Sequence, residues 1–435
     1  MTWLPPRPRA PGLFTVLDIG RDQLERPIHY FQRLGDTFRT SLFGTVLVAT
    51  RDPHVFEDVL VRQHKRFIKD EITRGLSKLL GQGLLTSHGE PWQQNRRLLQ
   101  PHFQPQQLDR YLPVFREEAE RELDGWPSEG TLDLHPAMAR LSMRIALRTL
   151  FGTEAGEYDE FEQSMRDAMW FFAGFAGTSV PLPLSIPTPT NRRFLRARSH
   201  LNEALRRILT QARTQGVQTS VLGSLLSARA SGELSEQQLV DEAITMLLAG
   251  HETTALTLTY ALALLARAPE QQRALREELS GSVPESVAAL RALPGVNRAL
   301  KESLRLYPPA WAIGREALED SEIAGFTVPK GAQVILYQWA AHRHPKWFEE
   351  PLAFRPGRWT RDFEASLPRH LYAPFGGGPR ICIGNHFALA EMVIALVTLL
   401  DQFELQAPEP FAPRFITSIT LRPRDPVRVG VRRLG

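Results

Sequence analysis

The chain has 435 residues, 43% hydrophobic and 23% charged, an ordinary balance for a globular protein with a large core. A net charge of +4 is too small to argue for nucleic-acid binding, and one cysteine excludes an internal disulfide and any multi-cysteine metal site. No Gly/Ser-rich linker or internal repeat divides the sequence, so a single domain over residues 1–435 is expected.

Residues 1–12 carry Pro5, Pro6, Pro8 and Pro11, which forbid regular helix and predict an extended arm. The arm has no apolar core of a signal peptide and no spanning segment, so no membrane anchor and a cytoplasmic location are expected. Residues 37–50 alternate around Gly44 and predict a hairpin. Most of residues 53–280 reads as helix broken by Pro and Gly. Within it, Met169 to Phe175 is an apolar aromatic stretch that runs into a Pro-rich loop over residues 180–190. Ser235 to Ala268 predicts one long helix, opened by a Ser235/Gln238 capping box and closed by Pro269. Strand-like stretches follow over Ser321–Tyr337, with Pro329–Gly331 as a turn, and over Arg414–Val431. Residues 385–403 give another apolar helix. The fold class is therefore mainly α, an α+β arrangement with small sheets at both ends of the sequence.

Chemistry concentrates at Cys382. Gly376, Gly377 and Gly378 precede it and permit positive φ, and the thiol lies at a helix N-terminus, where the macrodipole favours a thiolate. The stretch Phe375-Gly-Gly-Gly-Pro-Arg380-Ile-Cys382-Ile-Gly384 resembles the haem-ligand signature of the cytochrome P-450 family, Phe-x-x-Gly-x-Arg-x-Cys-x-Gly. In the middle of the long helix, Ala249-Gly250-His251-Glu252-Thr253-Thr254 resembles the family's oxygen-activation motif. The resemblance covers nearly the whole chain, and the missing anchor matches the soluble bacterial members.

That resemblance implies the family's helical prism around haem b (iron protoporphyrin IX), with Cys382 as the axial iron ligand. Ala249 and Gly250 would leave room for O2, Thr253 would hydrogen-bond it, and Glu252 would connect the site to bulk protons. Propionate partners would be His88, Trp92, Arg96, Arg315 and Arg380, while Phe375 flanks the haem loop. Glu302, Arg305 and Arg358 would form a buried ion network. Phe171, Phe172, Trp311, Ala312, Ile313 and Thr417 would line the pocket of an apolar substrate, with Arg74 and Lys78 as potential anchors. The substrate would be a terpenoid, fatty acid, polyketide or steroid-like molecule. Electrons would come from a ferredoxin or flavodoxin with its NAD(P)H-dependent reductase, attracted by Arg96, Arg97, Arg343 and Lys346. The implied activity is O2-dependent hydroxylation or epoxidation. A haem-thiolate isomerase, dehydratase or peroxygenase, and a non-catalytic haem sensor, are the alternatives, and the Glu252-Thr253 pair speaks against them.

Overall fold

The structure, a computed structural model, describes residues 4–152, 158–176, 183–215, 220–279, 283–407 and 413–435. Residues 180–182 of the Pro-rich loop lie outside the described residues. The body is helical, and its axis is the helix Glu236–Leu265, hereafter the central helix. Ser235 caps it: its side chain accepts from the Gln238 N–H, and the Gln238 side chain accepts from the Ser235 N–H at 2.8 Å. At ~1.5 Å per residue its 30 residues span roughly 45 Å. It ends three residues earlier than the Pro269 rule predicts. Ala266–Ala268 make a turn, and Pro269 instead opens the next helix, Pro269–Leu279.

Leu239, Ile244, Leu247, Leu256, Leu258, Leu262 and Leu265 are all buried, so the central helix is covered on most of its faces and runs through the core. It packs most extensively on the helix Leu134–Ala146, then on Pro294–Leu306 and on the helix after the cysteine, Asn385–Gln402. Among the described residues no helix is long and apolar enough to cross a membrane.

Strands occupy the periphery. They are β1 (Thr37–Leu42), β2 (Thr45–Thr50), β3 (Phe67–Lys69), β4 (Glu129–Asp133), β5 (Ile313–Ala317), β6 (Ser321–Ile323), β7 (Phe326–Val328), β8 (Gln333–Leu336), β9 (Phe403–Gln406), β10 (Phe415–Thr417), β11 (Leu421–Pro423) and β12 (Arg428–Arg433). The main sheet has the order β1-β2-β8-β5-β3. The expected hairpin is β1–β2. β3 and β4 fall inside the stretch read as helical, because three and five residues are too few to show a period. The turn at Ala324–Gly325 joins β6 to β7 and was not foreseen, whereas Pro329–Gly331 separates β7 from β8, which pair with different partners.

Candidate active site

Cys382 sits in a loop held by its own backbone: the Cys382 N–H donates to the Phe375 carbonyl at 2.9 Å. Gly376 and Gly378 take positive φ, but Gly377 is extended, so only two of the three glycines are needed for their left-handed freedom. Gly378 is also required by space, since a Cβ there would lie 1.9 Å from the Leu60 carbonyl oxygen. The thiol keeps accessible surface yet is ringed by protein atoms. Desolvation pushes its pKa up, and the Gly384 N–H and the Arg96 charge pull against that. A metal bound to the sulfur would remove the proton outright.

Cationic side chains converge beside this loop. β5 and β3 pair antiparallel with Arg315 opposite Lys69, and Ile313, two residues from Arg315 on the same strand face, comes within 3.8 Å of where a Gly376 Cβ would be. Arg315 is buried, and its hydrogen bond goes to the Gly314 carbonyl at 2.8 Å. Arg380 donates to the Ser87 carbonyl at 3.0 Å, meets His88 Nδ1 at 3.2 Å, and lies over the Trp92 ring at 4.3 Å. Arg96 donates to the Ile381 carbonyl at 2.7 Å. Burial lowers the pKa of Arg315 to about 10; burial and the neighbouring Arg315 and Arg96 bring Arg380 to about 10 as well. Burial, Arg315 and Arg380 together hold Lys69 well below the usual lysine range.

Asp70 offsets only part of this charge. Such a cluster destabilises itself unless an anion joins it, and two carboxylates are what it suits. The residues therefore fit a haem whose propionates lie among Lys69, Arg96, Arg315 and Arg380 with its iron toward Cys382. Lys69 was missed by the sequence reading. Its only signal is the β3–β5 pairing, which crosses about 250 residues of chain.

The loop before Trp92 is fastened to the central helix. Gln82 N–H donates to Asp241 at 2.7 Å, and Gly81 and Gly83 leave no room for a Cβ beside Asp241 and Thr245. Asn95 donates to Glu242, which is fully buried. Burial pushes the Glu242 pKa up to about 8, the Leu84 N–H opposes this, and Asp241 adds to it.

The middle of the central helix is continuous α-helix. Ala249, Gly250 and Thr253 keep accessible surface while His251, Glu252 and Thr254 are buried. Thr253 Oγ1 donates to the Ala249 carbonyl at 3.0 Å. A Cβ on Gly250 would meet Leu150 Cδ1 at an ordinary 3.6 Å, so the helix does not need a glycine there for packing. Glu252 faces another way. Its carboxylate accepts from Thr420 Oγ1 and Arg422 Nε at the β10–β11 end of the chain. Burial raises its pKa, but Arg422 and Thr420 overcome that, and the net shift is downward. A surface hollow of about 330 Å³ reaches Arg422, the partner of Glu252, and is lined by His135, Arg166, Trp170 and Ser418 among others.

Glu302, Arg305 and Arg358 meet. Arg305 Nε and Nη2 donate to the two Glu302 oxygens at 2.9 and 2.8 Å, and Arg358 Nε donates to Glu302 Oε1 at 3.0 Å. The remaining Arg305 N–H groups donate to the carbonyls of His342, Pro351 and Ala353, so all of its donors are used. Trp359 adds an indole N–H to Glu302 at 2.8 Å.

The proposed pocket residues separate. Ala312, Ile313 and Thr417 are half-buried, with Thr417 on β10. Trp311 turns into a different core: its ring packs on Tyr337, and its indole N–H donates to the Ser418 carbonyl at 2.9 Å. Phe171 and Phe172 are buried around Phe194, with Phe171 stacked on it at 4.2 Å. Arg74 is paired with Glu316 at 2.7 Å, and Lys78 lies 6.0 Å from the Phe171 ring. Arg343 corrects the expected basic surface: it is buried, over the Trp339 ring, and donates to the Leu306 carbonyl. Arg97 and Lys346 remain exposed.

The family profile described as cytochrome P-450 matches residues 4–430. The chain is similar to cyclooctatin synthase of Streptomyces melanosporofaciens, 30% identical over 91% of this chain and 89% of the relative. It is equally similar to pentalenene oxygenase of Streptomyces avermitilis, 30% identical over 91% of this chain and 90% of the relative. Among solved structures, it matches a cytochrome P-450 haem domain with TM-score 0.88 at 26% identity, covering 100% of this chain and 98% of that one. Retinoic acid-bound cyanobacterial CYP120A1 matches with TM-score 0.86 at 27% identity and full coverage of both chains.

Proposed function

The chain belongs to the cytochrome P-450 family and is a haem-dependent, oxygen-incorporating oxidoreductase, and from this premise we propose that it hydroxylates or epoxidises a terpenoid. The observation that carries the substrate class is the likeness, over about nine-tenths of both chains, to relatives named for pentalenene and cyclooctatin. In hydroxylation, one atom of O2 enters a C–H bond and the other leaves as water, consuming two electrons and two protons. Haem, when bound, supplies the reduction and cleavage of O2, and a thiolate ligand favours that cleavage.

This chain's residues have the remaining tasks in our reading. Cys382 holds the iron, and Lys69, Trp92, Arg96, Arg315, Arg380 and His88 hold the propionates. Thr253 Oγ1, which rests on the Ala249 carbonyl, would turn from it to hold and pass a proton on the O2 side. Glu252 replenishes it, and its bond to Arg422, which lines a surface hollow, links that carboxylate toward solvent. Ala249, Ala312 and Ile313 offer an apolar wall. In this reading electrons come from a ferredoxin or flavodoxin with its reductase, and residues 4–430 form the haem domain that the family profile matches.

The test uses the haem-loaded protein with a ferredoxin, its reductase and NADPH. Terpene hydrocarbons should shift the iron to high spin and give a product whose new oxygen derives from labelled O2. Fatty acids that shift the spin state and turn over while terpenes do neither would overturn the substrate class. Product formed without O2 would overturn the reaction.

A further inference from the structure

The hollow beside β11 has a lining of two kinds. Arg166, Arg193, Arg422 and Arg424 bring guanidinium groups to it, while Trp170, Met169 and Ile416 bring apolar surface. Trp170 is 52% exposed, so its ring is open to a ligand. Two carboxylates also line the hollow, and both are engaged. Asp425 accepts from Arg414 at both oxygens, each at 2.8 Å, and Asp133 accepts the backbone N–H groups of His135 and Val427. The apolar lining speaks against a bare inorganic anion. Asp133 and Asp425 speak against a multiply charged phosphate. A single carboxylate on an apolar body suits both kinds of lining, and about 330 Å³ is at the small end of ligand pockets.

This hollow ends on a group that the buried acid depends on. In the Arg422–Glu252 pair the arginine side chain is 14% exposed and the glutamate 4%, so Arg422 is the member that a ligand reaches. Arg422 Nε and Thr420 Oγ1 both donate to Glu252 Oε1, and Oε2 has no hydrogen-bond partner among the described residues. Burial raises the Glu252 pKa, and Arg422, Thr420 and His251 outweigh it. His135 on the helix Leu134–Ala146 and Tyr260 on the central helix are the other titratable groups that feel this carboxylate. A second carboxylate on Arg422 would divide that arginine's donors and charge. Glu252 would then keep Thr420 as its remaining full bond, and a buried acid so placed takes up a proton.

We propose that this hollow is an effector site for an apolar molecule ending in one carboxylate, whose head shares Arg422 with Glu252 and loosens that pair. Its body lies against Trp170 and Ile416, and Arg166 and Arg424 complete the grip on the head. The coupling is reciprocal, so the proton on Glu252 and the bound carboxylate favour each other. What occupancy does to turnover rests on the function proposed above, whereas binding and proton uptake do not. Calorimetry on the haem-loaded protein at pH 7, in two buffers of different ionisation enthalpy, tests this with geranate and with its uncharged counterpart geraniol. Geranate should bind and take up a proton. Arg166→Ala with Arg424→Ala, and separately Trp170→Ala, should weaken it roughly tenfold or more with the Soret band unchanged. Glu252→Gln should keep the binding and lose the proton uptake. No binding of geranate overturns the proposal, as does binding that the hollow variants leave unchanged or that geraniol matches in strength and in sensitivity to them. Binding that shifts the iron spin state in step with occupancy overturns it too, since the ligand would then sit at the haem. Uptake that persists in Glu252→Gln would place the proton on His135 and overturn the link to the acid. Failure of terpenes to turn over, with geranate still bound and protons still taken up, would remove the substrate reading and leave this site standing.

Discussion

Two side chains of the central helix differ in what a single substitution should change. Glu242 keeps its proton up to about pH 8 in the folded protein but would release it near 4.5 when unfolded. Between those values the folded state binds more protons, so stability falls as pH rises across the window. Glu242→Gln should remove that slope, raising the thermal midpoint at pH 8.5, relative to wild type, by about 2 °C or more. Parallel melting curves at pH 5 and pH 8.5 check this, and a midpoint difference that does not change with pH would count against it. Thr253 stands in the opposite position, with a hydroxyl on accessible surface and a bond only to its own helix. Thr253→Ala should leave folding intact and lower product per NADPH by about tenfold or more, with peroxide appearing instead. Unchanged coupling would remove its proposed role.

At the scale of elements, the cysteine loop and the Glu302 network depend on close fits. Gly378→Ala forces a Cβ into the Leu60 carbonyl and strains a positive φ of 65°. It should reduce haem retention, read as the ratio of Soret to protein absorbance, whereas Gly250→Ala should leave that ratio unchanged. Glu302→Ala strands Arg305, which is 0% exposed, with a carboxylate partner gone and a buried charge left over. That should cost about 3–5 kcal/mol in urea unfolding. Glu302 joins two segments, its own helix through Arg305 and the short turn after Pro356 through Arg358 and Trp359, so its loss should also broaden the transition.

Over the whole molecule, what was legible in the sequence divides by range. The β1–β2 hairpin and the Ser235 cap are local patterns, and both are where residues a few positions apart put them. The cysteine signature and the ion network were also legible, because each is a short motif of fixed spacing. Lys69 opposite Arg315, Arg422 on Glu252, and Asn95 on Glu242 were not, since each pair is made by chain segments more than a hundred residues apart. Trp311 and Arg343 were read as facing a pocket and a surface, because local sequence carries no sign of which way a turn aims them. The charge of the molecule is a similar case. At +4 it has no strong bias, so electron-partner attraction has to come from local residues such as Arg97 and Lys346. Arg97→Glu should slow reduction by an acidic ferredoxin at low salt and leave it unchanged at high salt. Equal rates at low salt would remove that face from consideration.

The sheet order has a consequence for biosynthesis. β2 is completed by β8, in parallel from Leu47 opposite Gln333, and β4 is completed by β12 near the last residue. During translation at ~5–20 residues per second, β2 waits tens of seconds for its partner to emerge. For that interval its free edge can template pairing with another nascent chain. The cysteine loop emerges later still, so cofactor capture belongs to the end of synthesis. Yield in a heterologous host should therefore respond to slower translation and to chaperone supply as much as to haem supply.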